Sequence, residues 1–168
     1  ISEKLIELMN DIMLYIQEKA KSPLNEHIHI ALTDHISFAI KRLKQGLTID
    51  NPFLVETKML YPEEYAIAEG VVELLNSRLQ ITLPEGEIGF IALHIYSSLT
   101  NSDLSSVNQN SRLIAQLVSL IETNLQITLD QESIHYLRLI RHLQYAIERV
   151  KKGEKVEESQ SFADLLKA

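Results

Sequence analysis

Apolar residues recur every three to four positions through most of the chain, the spacing of one buried helix face. Leu5, Leu8, Met9, Ile12, Met13 and Ile16 form the first such stripe, behind Ser2, a residue type that caps helix N-termini. After a turn at Ser22-Pro23, Ile28, Leu32, Ile36, Ala39 and Leu43 mark a second helix from about Asn25 to Gln45, closed by Gly46. Asn51-Pro52 opens a short third helix, and Tyr61-Pro62 ends it and starts a fourth that runs to about Arg78. Pro84-Glu85-Gly86-Glu87 leads into a fifth helix ending near Leu99. Its residues Ile88, Ile91, Ala92, Ile95, Tyr96 and Leu99 form one face, and Phe90 and Leu93 extend beyond it. A helix apolar on two sides is expected between two surfaces, its own bundle and a partner chain, in a homodimer through the first domain with His35 and His94 near the interface. No segment shows convincing strand alternation; the two LQITL segments, 79–83 and 125–129, are read as helix ends. The predicted fold class is all-α: a five-helix bundle followed by a partial second copy.

The second copy is announced by a repeat. LTDHISFAIKRLKQG (32–46) and LIRHLQYAIERVKKG (139–153) align at a constant offset of 107 residues. The pairs Leu32/Leu139, His35/His142, Ala39/Ala146, Ile40/Ile147, Arg42/Arg149, Lys44/Lys151 and Gly46/Gly153 are identical. So long a period means two copies of a domain rather than a solenoid. The expected organisation is a first domain over residues 1–100, a linker over 101–111 and the front of a second domain over 112–168. The stretch 97–111 is rich in Ser and Asn and lacks an apolar stripe, which motivates the linker. Helices are expected again at about 112–124 and 131–152, with a charged tail from Glu154. The second copy ends early and the chain opens on Ile1, so a fragment of a longer protein is expected.

A net charge of −7 repels nucleic-acid phosphate, which argues against direct RNA or DNA binding by this segment. The absence of cysteine fits a reducing compartment, and no apolar run approaches the length of a membrane span. These features predict a soluble cytosolic segment without membrane insertion.

Six histidines remain to be weighed. At about 100° per residue, His35 falls on the rim of the second helix's apolar stripe, with Arg42 beside it two turns on. His142 repeats the arrangement with Arg149. Arginine beside an imidazole favours the neutral, nucleophilic ring, and can grip a phosphate acquired there. His94 lies at the margin of the fifth helix's face, and Glu87, seven residues earlier on the same side, is expected to orient its ring. Glu26/His29 and Glu132/His135 have the Glu-x-x-His spacing of di-metal bundles, but both sit where a first helical turn attracts acidic residues anyway. No Gly-rich phosphate loop, nucleophile elbow or Cys/His zinc set is present, and no catalytic, cofactor or metal residues are assigned.

Five ordered blocks carry a resemblance: Leu32-Thr33-Asp34-His35-Ile36; Arg42; Asn51-Pro52-Phe53-Leu54; Tyr61-Pro62-Glu63-Glu64-Tyr65; and Pro84 through Ile95, PEGEIGFIALHI. Together they resemble the phosphotransferase-system regulation domain of BglG/SacY-type transcriptional antiterminators, with NEHIHIALTDHI and LRLIRH closest to the glucose-specific branch. The resemblance implies a regulatory, non-enzymatic region and a homodimer. It implies an N-terminal RNA-binding domain, outside this chain, that blocks a terminator by binding an RNA hairpin. It also implies that histidines accept phosphoryl groups from phospho-HPr or the sugar-specific enzyme II, here the glucose enzyme. The matching positions are His35, His94 and His142, with Asp34, Arg42, Glu87 and Arg149 in support. Arg141 stands before His142 where Asp34 stands before His35, so the two sites need not be handled alike. The competing expectations are a helical di-metal enzyme and a dimerisation module whose histidines are inert to phosphodonors.

Overall fold

In the computed structural model, residues 2–153 are described. They form seven α-helices: α1 (Glu3–Ala20), α2 (His27–Lys44), α3 (Leu54–Leu60), α4 (Pro62–Leu79), α5 (Gly86–Thr100), α6 (Leu104–Leu125) and α7 (Ile134–Lys151). No strand occurs among the described residues. The charged segment from Glu154 lies outside them. The chain divides into two compact units, residues 1–112 and 113–168.

The helices of the first unit form where the apolar stripes place them. Ser2 caps α1, its hydroxyl accepting from the Leu5 amide at 3.2 Å, and Leu5, Leu8, Met9, Ile12 and Ile16 are buried. Ser2→Ala is expected to lower stability by about 1 kcal/mol in urea denaturation, the usual loss for such a cap. The α1 stripe meets Ile28, Leu32, Ile36 and Ala39 of α2, Tyr65, Ala68, Val71, Val72 and Leu75 of α4, and Ile91, Ala92 and Ile95 of α5 in one core. Gly70 allows α1 and α4 to approach, since a Cβ there would lie 1.9 Å from the Tyr15 hydroxyl oxygen.

Both LQITL segments end helices, as expected. Gln80 and Gln126 adopt left-handed backbone angles (φ 52° and 54°). In each case a side chain seven residues back then catches the amide of the closing leucine. Asn76 Oδ1 accepts from Leu83 at 3.0 Å, and Glu122 Oε2 accepts from Leu129 at 2.9 Å.

Two expectations change. The Ser/Asn-rich stretch before residue 112 is not irregular, because α6 begins at Leu104. Val107, Ser111, Ile114 and Val118 are buried at helical spacing, so the stripe runs back through a serine that disguises it. The second apolar side of α5 is also covered in part within the chain itself. Leu93 packs with Tyr61 and Val107, Tyr96 and Leu104 adjoin, and the Tyr61 and Tyr96 rings stand 4.1 Å apart. The start of α6 therefore supplies part of the cover that a partner chain was expected to supply.

In the second unit, Ser133 caps α7 through the His135 amide at 3.1 Å, and Tyr136, Ile140 and Ile147 are buried.

Candidate functional site

The α2 stripe that buries Leu32, Ile36 and Ala39 leaves His35 and Arg42 at its edge, half-buried and pointing toward α5. Their side chains retain 20% and 25% exposure, whereas that of Glu87, one residue into α5, retains 4%. Glu87 lies between them. His35 Nε2 is 2.8 Å from its Oε2, and Arg42 donates to its Oε1 at 3.1 Å. One carboxylate thus bridges two groups two turns apart on the facing helix.

Glu87 pairs across to α2 and does not orient the ring of His94 on its own helix, as the wheel had suggested. The face of one helix fixes which residues share a side; which neighbour that side meets is a tertiary matter. His94 instead packs against His35 with ring centroids 5.1 Å apart, tilted by 50°. Phe90, which sequence reasoning left outside the site, lies 5.7 Å from the His35 ring on the same helix face as His94. Its spacing of four from His94 was the available signal. His94 also lines a cavity of about 250 Å³, with Asn25, His27, Ala31, Ser97 and Asp103 among the other walls.

The electrostatics follow from this packing. Burial alone pushes the Glu87 carboxyl up, but the hydrogen bond and charge of His35, then those of Arg42, outweigh it and hold the group below the usual carboxylate range. An ionised carboxylate only accepts, so the His35 Nε2 that faces it is the donor in this bond. Burial, then the neighbouring His35, lowers His94 to about 4, so this ring is neutral at physiological pH. The site therefore holds the neutral imidazole of His94, the imidazole of His35 and the guanidinium of Arg42, with one carboxylate engaging the last two.

The other sequence candidates lie elsewhere. Asp34 is exposed and so stands outside this cluster's buried contacts. His142 and Arg149, the repeat counterparts of His35 and Arg42, are both exposed on α7. Glu26, His29, Glu132 and His135 are exposed at helix starts, and no group of three or more His, Cys, Asp or Glu able to hold a metal occurs among the described residues. No helix among them is long and apolar enough to cross a membrane.

The PRD domain family model matches the chain twice, over residues 10–98 and 115–167. The PtsGHI operon antiterminator of Bacillus subtilis is 56% identical over 131 residues, covering 78% of this chain and 47% of that protein. Protein GlcT of Staphylococcus saprophyticus is 43% identical, covering 97% and 61%. The GlcA/glcB genes antiterminator of Staphylococcus carnosus is 42% identical, covering 99% and 58%. The chain thus spans about half to three-fifths of the length of these relatives. Among solved structures, the crystal structure of GlcT CAT-PRDI is similar with a TM-score of 0.59 and 58% identity, over 60% of each chain.

Proposed function

The chain belongs to the PRD domain family, and from that premise we propose that it is the phosphorylation-controlled regulatory region of a transcriptional antiterminator of sugar-uptake genes. The observation that carries this reading is the pair of histidine rings packed against each other at 5.1 Å, with a guanidinium held nearby by Glu87. The names of the antiterminator relatives support the process. In this reading residues 1–100 are a first regulation domain and 112–168 the front part of a second.

His35 and His94 are the acceptors in the first domain and His142 is the acceptor in the second. An imidazole nitrogen attacks the donor's phosphorus, the bond from phosphorus to the donor breaks, and a new nitrogen–phosphorus bond forms. The donors are phospho-HPr and the glucose-specific enzyme II. A phosphoryl group on His35 Nε2, the ring nitrogen that faces Glu87, brings roughly two negative charges against that carboxylate. Two unit charges about 4 Å apart repel by about 4 kcal/mol near a protein surface, so the carboxylate and the phosphate do not share Arg42. The carboxylate leaves, Arg42 turns to the phosphate, and the α2–α5 contact changes. The site is a receiver and switch rather than an enzyme active site.

The readout is a homodimer and, beyond it, an RNA-binding domain outside this chain. The dimer assignment rests on the surface beside His35 rather than on α5. Phe38, one turn from His35, is 60% exposed, and Tyr145 at the same repeat position is also 60% exposed. The cytoplasm is the compartment in which these donors operate.

The test is incubation of the chain with phospho-enzyme II and, separately, phospho-HPr, followed by mapping of the labelled histidine. Label is expected on His35 or His94 from enzyme II, and the double variant His35→Ala/His94→Ala should lose at least about nine-tenths of it, roughly the tenfold of 1.4 kcal/mol. Undiminished uptake by that double variant would reassign the acceptors to His142, His27 or His29.

A further inference from the structure

Glu87 reaches α2 only if the first turn of α5 is held in place, and that turn is tied to a distant loop by one side chain. Asn51 Nδ2 donates to the carbonyl of Gly86, the first residue of α5, at 3.2 Å. Its Oδ1 accepts from the Phe53 amide at 3.0 Å, so the same amide also closes the turn that leads into α3. The seat for this side chain is made by two missing Cβ atoms. A Cβ on Gly89 would lie 2.6 Å from Asn51 Nδ2, and one on Gly86 would lie 3.1 Å from Asn51 Cβ. Gly86 and Gly89 stand three apart on one face of α5, and Glu87 lies between them.

We propose that Asn51 is a positioning residue: its amide, lodged against Gly86 and Gly89, fixes the start of α5 so that the Glu87 carboxylate rests on His35 and Arg42. This rests on the reading of His35 as a phosphoryl acceptor only for its functional consequence; the geometric claim is tested separately. Asn51 touches neither histidine in its hydrogen bonding. It acts through Glu87, so its loss loosens the carboxylate that a phosphoryl group on His35 must displace.

The experiment uses the full chain and two readouts. The Glu87 carboxyl is followed by carbon-13 NMR over roughly pH 2 to 8, bracketing the carboxylate range. Labelling of His35 and His94 is measured with phospho-enzyme II as donor. Three variants are compared: Asn51→Ala, which removes both bonds; Asn51→Asp, which keeps the turn acceptor and shape but removes the donor to Gly86; and Gly89→Ala, which evicts the side chain from its seat. In all three the Glu87 midpoint is expected to rise toward the ordinary carboxylate value, and His35 labelling to rise about threefold relative to His94. A merely structural role would lower helix content or thermal stability without moving the Glu87 midpoint. If Asn51→Asp titrates and labels like the parent chain, the bond to Gly86 is not what positions Glu87 and the proposal is overturned, even if Asn51→Ala fails to fold. If the parent chain takes no label at all, the acceptor reading fails, and the Glu87 midpoints still decide the positioning claim.

Discussion

Glu87→Ala is expected to lower the stability of the chain by about 2–3 kcal/mol in urea denaturation while making His35 easier to phosphorylate. The loss follows from the bridge. Glu87 is almost wholly buried and accepts from His35 at 2.8 Å and Arg42 at 3.1 Å, so its removal strands a half-buried guanidinium and an imidazole N–H. Breaking a fully buried pair costs about 3–5 kcal/mol, and the partial exposure of His35 and Arg42 reduces this. The gain follows from the same contacts. Without the carboxylate, a phosphoryl group on His35 meets no like charge and finds Arg42 unoccupied. The equilibrium for transfer to His35 should then shift by about tenfold or more, a shift worth 1.4 kcal/mol and well within the repulsion relieved. Glu87→Gln, which keeps the shape and an acceptor oxygen, should lie between the two. A variant both less stable and harder to phosphorylate would mean that the carboxylate assists transfer rather than opposing it.

The second large effect is a loss of stability in mild acid, set by His94. Its folded value of about 4 lies below the ordinary histidine value of 6.5, because burial and then the charge of His35 disfavour the cation. Between these two values the unfolded chain binds a proton that the folded chain does not, so falling pH favours unfolding. The stability is intact above about 6.5 and is drawn down as pH falls toward 4. At about 1.4 kcal/mol per pH unit, the loss approaches roughly 3.5 kcal/mol. Glu87 acts in a lower window. Its folded value is depressed, so its contribution is present above the ordinary carboxylate value and is lost as pH falls through the folded one. Urea midpoints measured at successive pH values should therefore fall in two stages. His94→Gln, uncharged throughout, should remove the upper stage and leave the lower one. An unchanged upper stage in that variant would place the responsible group elsewhere.

The stripes of α1, α2, α4 and α5 were legible because each buries apolar residues on one side, and their spacing survives any tertiary arrangement. The start of α6 was not, because Ser111 occupies a buried stripe position and Ser and Asn disfavour helix interiors by composition. His35 and Arg42 were legible as a pair because both stand on one helix. The partner of Glu87 was not, since a helical wheel ranks neighbours along its own axis and is blind to the helix opposite. His94 emerged as a marginal residue; that it rests against His35 depends on how α2 and α5 meet. The exposed placement of His142 could not be read from its repeat partner, because identical residues on α2 and α7 face different surroundings.

The helix ending at Gln80 bears on how this family of sequences can vary. The left-handed turn at Gln80 and the grip of Asn76 on Leu83 set the end of α4 from local groups alone. Only Pro84, Glu85 and Gly86 then separate that anchored leucine from Glu87. The segment works as a ruler of fixed length between a helix stop and a charged group. One inserted residue would turn the carboxylate by about 100° around its helix and away from α2. Descendants of this chain should therefore tolerate many side-chain replacements here and almost no change in residue count, whereas the loop after Gly46, before Asn51 takes hold, has slack to lengthen.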